Sequence, residues 1–230
     1  MRPNSIATLL AAVSLVLLSA SSSADDGVVL IDHAAVMASG GFPYKISQPG
    51  SYRLSGNLVV SAADTTAIDI SVGNVTVDLN GFSITGPGAT VGLYGIADLS
   101  ADTAVAVRNG TISGFSYGIQ LTGSGSAKDA VTGAIIENVT VYNNGVGISS
   151  GPSSLLRGNV ATGNTIDGIR TRLYSTIAGN TVTNNGDAGI ATSCPSNLVD
   201  NLAVGNKVNF AAPLTVFTVP PCTFFNNNLP

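Results

Sequence analysis

Apolar positions in residues 135–206 recur every 21 residues. Ile135, Leu156, Ile177 and Leu198 form one column, and Ile148, Ile169 and Ile190 form another. Polar positions keep the same period: Asn138, Asn159, Asn180 and Asn201, then Asn143, Asn164, Asn185 and Asn206. Gly147, Gly168 and Gly189 stand one residue before the second isoleucine column. A fixed period of roughly 20–50 residues marks stacked units, each covering its neighbour's apolar face. Leucine-rich repeats and parallel β-helices both use units of this length. The first needs several leucines per unit and usually a helical return. Here Gly, Asn, Thr and Val dominate, residues that favour turns and short strands. The pattern predicts an all-β solenoid, a single-stranded parallel β-helix with an N-terminal cap and a C-terminal plug.

In such a coil, equivalent residues of successive turns stack about 4.8 Å apart, the spacing of paired strands. Aliphatic columns fill the lumen. Asparagine suits the corners because it tolerates the left-handed conformation and bonds its own turn. Stacked amides also hydrogen-bond along the axis. The sequence therefore predicts an Asn ladder through Asn138, Asn159, Asn180 and Asn201.

Residues 1–24 read as a signal peptide: Arg2 opens it, an apolar run follows from Ile6 to Leu18, and Ser22-Ser23-Ala24 offers a cleavage site. The mature chain is expected to be exported, periplasmic or extracellular, with no transmembrane segment. Residues 25–58 are assigned to the N-terminal cap and first strands. Val28–Met37 reads as a short helix or strand, and strands are expected at Phe42–Ile46 and Ser51–Leu54. Residues 59–210 are assigned to the coils and 211–230 to the C-terminal cap. Val77, Leu79 and Ile84 recur as Val105, Val107 and Ile112 at a spacing of 28, while Asn80-Gly81 recurs as Asn109-Gly110 at 29. Their register is left open. Ile112 and Ile119 recur 29 residues on as Val141 and Ile148. Loops are expected around Gly86–Gly92 and Gly123–Asp129, where repeat proteins often line a binding face. Asn-x-Thr triplets at Asn74, Asn109 and Asn138 fall inside this pattern and are read as coil residues.

Charge narrows the partners. Removing Arg2 with the signal leaves eight basic against 13 acidic side chains, a net charge near −5. With no basic cluster, nucleic acid and anionic membrane are not expected partners. Cys194 and Cys222 are the two cysteines. In an exported protein an even pair reads as a disulfide, here tying the C-terminal plug to the coil.

The segments Val75-Thr76-Val77-Asp78-Leu79-Asn80-Gly81 and Arg108-Asn109-Gly110-Thr111-Ile112, with the recurring Gly-Ile, resemble the right-handed parallel β-helix proteins of the pectin lyase-like superfamily. The likeness covers most of the mature chain. It is nearest to exported bacterial proteins with repeats of the carbohydrate-binding and sugar-hydrolase type, including the periplasmic accessory protein of nitrous-oxide reductase. The resemblance implies a right-handed coil, and an acidic polysaccharide as the partner to look for. These repeats are structural, so activity has to be argued from a site.

A glycosidase needs two carboxylates across the scissile bond. Polygalacturonase-like members carry clustered aspartates and a histidine on adjacent coils, a pattern this chain lacks. His33, the single histidine, falls in the cap. No Cys/His cluster suggests a metal, and no cofactor is expected. In Asp167-Gly168-Ile169-Arg170-Thr171-Arg172, strand alternation with Ile169 inward sends Arg170 and Arg172 outward together. The neighbouring positions are Ser149 and Gly151 on one side, Ala191 and Ser193 on the other. Asp187 follows close to the column of Asp167. Arginine binds a carboxylate through two parallel hydrogen bonds. Arg170, Arg172, Asp167 and Asp187 are thus the candidate ligand-binding group, against the simpler reading of a solvated ion-pair surface. Tyr142 and Tyr174 are considered as sugar-stacking faces, with corner packing the simpler role. Two further readings stay open: a non-catalytic envelope scaffold and a periplasmic accessory protein. Whether the protein is an enzyme is also open, since no complete catalytic constellation is present.

Overall fold

The computed structural model describes residues 27–100, 103–123, 131–211 and 221–228. The expected signal peptide, the loop core at 124–130 and most of the expected C-terminal cap lie outside them. The chain winds as a right-handed parallel β-helix. Every strand pairing is parallel, and each full coil lays down three short strands. In one coil these are Leu155–Arg157, Val160–Thr162 and Ile169–Arg170. Stacked, they make a 14-stranded sheet with two arms and an eight-stranded sheet. The arms join where Val105–Ser113 and Ile135–Tyr142 run straight through as single strands.

Three apolar columns fill the lumen. One runs through Ile68, Ile96, Ile119, Ile148, Ile169 and Ile190. A second runs through Val77, Val107, Ile136, Leu156, Ile177 and Leu198. The third runs through Leu58, Ile84, Ile112, Val141, Ala161, Val182 and Ala203. Each of these side chains is fully buried. Burial of one large aliphatic side chain contributes about 1.5–3 kcal/mol, so the columns supply the main force holding coil on coil.

Two registers differ from the sequence spacing. Val77 pairs with Val107 and Ile84 with Ile112, so the offset is 30 before the Asn80-Gly81 turn and 28 after it. The turn at 79–82 holds two residues more than the straight passage above it. Further on, Ile136 rather than Ile135 pairs with Leu156, an offset of 20. Ile135 is 38% exposed. The offset becomes 21 at Ile148–Ile169 because the corner at 165–167 holds one residue more than its counterpart.

That single residue also moves Asn138 out of the ladder. Asn138 is exposed, with φ +53°. It heads a column of left-handed corner residues continued by Gly158, Gly179 and Asp200. Asn143 heads a second, with Gly163, Asn184 and Gly205. The residue after each corner turns inward. The first ladder therefore runs Asn159, Asn180, Asn201 and Asn227, with Asn159 Oδ1 accepting from Val139 N. The second runs Asn144, Asn164, Asn185 and Asn206. Asn180 shows the bonding. Its Oδ1 accepts from Asn159 N at 2.9 Å and Asn159 Nδ2 at 3.0 Å. Its Nδ2 donates to Leu156 O at 3.0 Å and Asn201 Oδ1 at 2.9 Å. The glycine column packs on the second ladder: a Cβ on Gly147 would lie 2.9 Å from Asn164 Nδ2, and one on Gly168 2.7 Å from Asn185 Nδ2.

The N-terminal segment contains both a strand, Val28–Ile31, and a helix, His33–Ala38, capped by Asp32 Oδ1 accepting from Ala35 N at 2.8 Å. At the other end Thr223–Phe225 pairs with Asn197–Val199, and Cys194 is bonded to Cys222 with Cα atoms 4.8 Å apart.

Asn180→Ala leaves buried backbone groups unsatisfied and is expected to cost about 2 kcal/mol or more in denaturant unfolding. Asn138→Gly, at a corner that glycine adopts freely, is expected to change stability by about 0.5 kcal/mol or less. Equal losses would contradict the assignment of the two columns. Cys194→Ser/Cys222→Ser opens a closed loop of separation 28 and is expected to lower stability by about 3–4 kcal/mol in the chain-entropy model.

Candidate functional site

Corner geometry sets which side chains face outward on the eight-stranded sheet. Ile169 and Thr171 are buried, while Arg170 and Arg172 project on the other face. Ser149, Arg170 and Ala191 share one outward column. The column continues in the opposite direction through Gln120, Ala97, Asp69 and Lys45. Burial pushes the Asp69 carboxyl above the usual aspartate range, and the Lys45 cation opposes the shift.

A groove of about 380 Å³ lies on this face. Arg170 and Arg172 form one wall, Tyr94, Tyr117 and Leu99 belong to the other, and Ser149 lies between them. The groove exists because the coil at 146–151 carries short side chains there. At Gly151 nothing larger fits, since a Cβ would collide with the Val131 carbonyl. The tyrosine rings lie 5.7 Å apart at 44°. Beyond the arginines a second, shallower depression is lined by Ala191, Thr192, Ser193 and Ala211. The arginine pair is thus a cationic ridge with open ground on both sides.

Asp167 fixes that ridge. Its Oδ2 accepts from Arg170 Nε at 2.9 Å and Nη2 at 2.6 Å, while Oδ1 accepts from Ala188 N at 3.0 Å. The aspartate side chain is 5% exposed and the arginine 42%. One face of the guanidinium is held while the rest meets solvent. The three charges of Asp167, Arg170 and Arg172 leave one net positive charge at the groove.

Asp187 does not join this group. It pairs with Lys207 at 3.4 Å on the exposed surface and does not line the groove. The reason is register: the residue stacked on Asp167 is Ala188. Tyr142 lies on the outer face of the other sheet, and Tyr174 on a left-handed turn beside a different hollow. The aromatic wall is Tyr94 and Tyr117. The signal for it was the triplet Tyr-Gly-Ile, present at 94–96 and again at 117–119. The lining has no carboxylate or histidine. Its chemistry is binding: cationic hydrogen-bond donors at one end, aromatic faces and amide or hydroxyl groups at the other.

No helix among the described residues is long and apolar enough to cross a membrane. No curated protein matches the chain. Among solved structures it is similar to the periplasmic alginate epimerase AlgG, at 16% identity and TM-score 0.41 over 87% of this chain and 54% of that one. A double mutant of the same epimerase gives 14% identity and TM-score 0.48 over 88% and 55%. The chain thus spans about half the length of those proteins. A family model described as periplasmic copper-binding protein (NosD) matches residues 49–228, most of the chain, and the protein therefore belongs to the NosD family.

Proposed function

We propose that this exported β-helix protein binds an acidic polysaccharide in the groove of its eight-stranded sheet. The observation that carries the reading is the pairing of a cationic ridge, Arg170 and Arg172, with an aromatic wall, Tyr94 and Tyr117, across a floor of short side chains. The Asp167 contact orients Arg170 before any ligand arrives, which lowers the ordering cost of binding. Aromatic faces suit the apolar side of a sugar ring, and the guanidinium suits its carboxylate. With no carboxylate or histidine in the lining, the groove is read as a binding site rather than a hydrolytic centre.

The family description names copper. Copper favours thiolate, thioether and imidazole donors. In this chain both cysteines are consumed by the disulfide, and His33 and Met37 sit exposed on the short cap helix. Among the described residues no group of three or more His, Cys, Asp and Glu side chains converges on one point. The residues present do not fit a copper centre, and no step is derived through one.

Calorimetric titration with acidic and neutral oligosaccharides tests the reading. Acidic chains are expected to bind with an affinity that falls as salt rises. Arg170→Ala/Arg172→Ala is expected to weaken them tenfold or more, about 1.4 kcal/mol. Equal binding of neutral chains, or unchanged binding by the double variant, would contradict it.

A further inference from the structure

The groove is cationic at one end only. Its basic residues, Arg170 and Arg172, come from one coil. Two coils away, about 10 Å at the spacing of stacked strands, the same outward column presents Gln120, and the next coil presents Ala97. Tyr94, Tyr117, Leu99 and Thr122 surround that end without a charge. The column then meets Asp69, an acid. A polymer with a carboxylate on every sugar would lay unneutralised charge over the tyrosines and towards that aspartate.

Gln120 adds an independent observation. Its Nε2 donates to Thr122 Oγ1 at 2.7 Å, while Thr122 Oγ1 donates to the Gly123 carbonyl at 3.4 Å. Gln120 Oε1 is buried and has no hydrogen-bond partner. A buried acceptor left unpaired costs about 1–3 kcal/mol. Such a group at a groove wall is completed by a ligand donor. Ser150 Oγ is also unpartnered, but Ser150 shares its register with the buried Leu121, so it belongs to the lumen side.

We infer that the groove reads a mixed glycan, in which a carboxylated sugar at Arg170 and Arg172 adjoins a neutral sugar stacked on Tyr94 and Tyr117. The neutral sugar gives a hydroxyl or acetamido N–H to Gln120 Oε1. Gln120 is then a specificity-determining residue, selecting against a carboxylate at its end of the groove. The inference rests on the acidic-glycan reading given above.

The test compares two probes by calorimetry, a uronic-acid homopolymer fragment and a fragment alternating uronic acid with N-acetylhexosamine. The alternating probe is expected to bind about tenfold tighter to the native protein, the worth of about one well-made hydrogen bond to a buried group. Gln120→Ala is expected to remove that preference while leaving homopolymer binding unchanged. Gln120→Arg, which places a cation at the neutral end, is expected to reverse the preference, a change that a purely structural role for Gln120 would not give. Equal or tighter homopolymer binding by the native protein, or no reversal in Gln120→Arg, would overturn the inference and leave acidic-glycan binding intact. Binding of neither probe would overturn both.

Discussion

A chain that returns to the same place every lap must turn corners, and each corner turns inward backbone N–H groups that no neighbouring strand pairs. Left alone in a dry lumen, each would cost about 1–3 kcal/mol. Here the residue after the left-handed corner is an asparagine whose amide answers the N–H of the coil before it. One amide serves two donors of one coil and passes its own protons onward. The two ladders thus satisfy the corners and set the register at once, because a slip of one residue would break every rung. Aliphatic columns supply most of the burial energy, but they tolerate slippage between Ile, Val and Leu. The amides do not.

The groove is a consequence of that register. Arg170 and Arg172 stand on the same face because Ile169 is locked into the lumen column and the glycine before it is pressed against the second ladder. The short floor exists because Ser149 and Gly151 stack under the arginines. The extra residue at corner 165–167 places Asp167 where its carboxylate meets both Ala188 N and the Arg170 guanidinium. A binding surface on a solenoid is thus assembled from residues 21 or 29 apart that the coil brings to within one strand spacing.

Most of the fold was legible in the sequence because period is a global signal. Columns of Asn and Ile specified a coil, and an exported chain with two cysteines specified a disulfide between Cys194 and Cys222. Phase was less legible. Asn138 and Asn143 carry the residue type of the ladder but occupy the corner before it, since asparagine suits both the left-handed position and the inward amide. Sequence spacing alone does not separate the two roles. The same one-residue shift misplaced Asp187. The aromatic wall lay in coils of irregular length, where 23 residues separate Tyr94 from Tyr117. There the repeat gives no fixed period, and only the local Tyr-Gly-Ile triplet marks equivalence.

The account depends most on the amide ladders, and native-state hydrogen exchange of individual backbone amides addresses them directly. The N–H groups of Asn159, Asn164 and Asn180 lie at corners but donate to buried side-chain amides. They should exchange as slowly as the strand centres at Ile148 and Ile177. Exchange at those three positions as fast as at exposed corner residues would show that the rungs do not form, and the register built on them would fall.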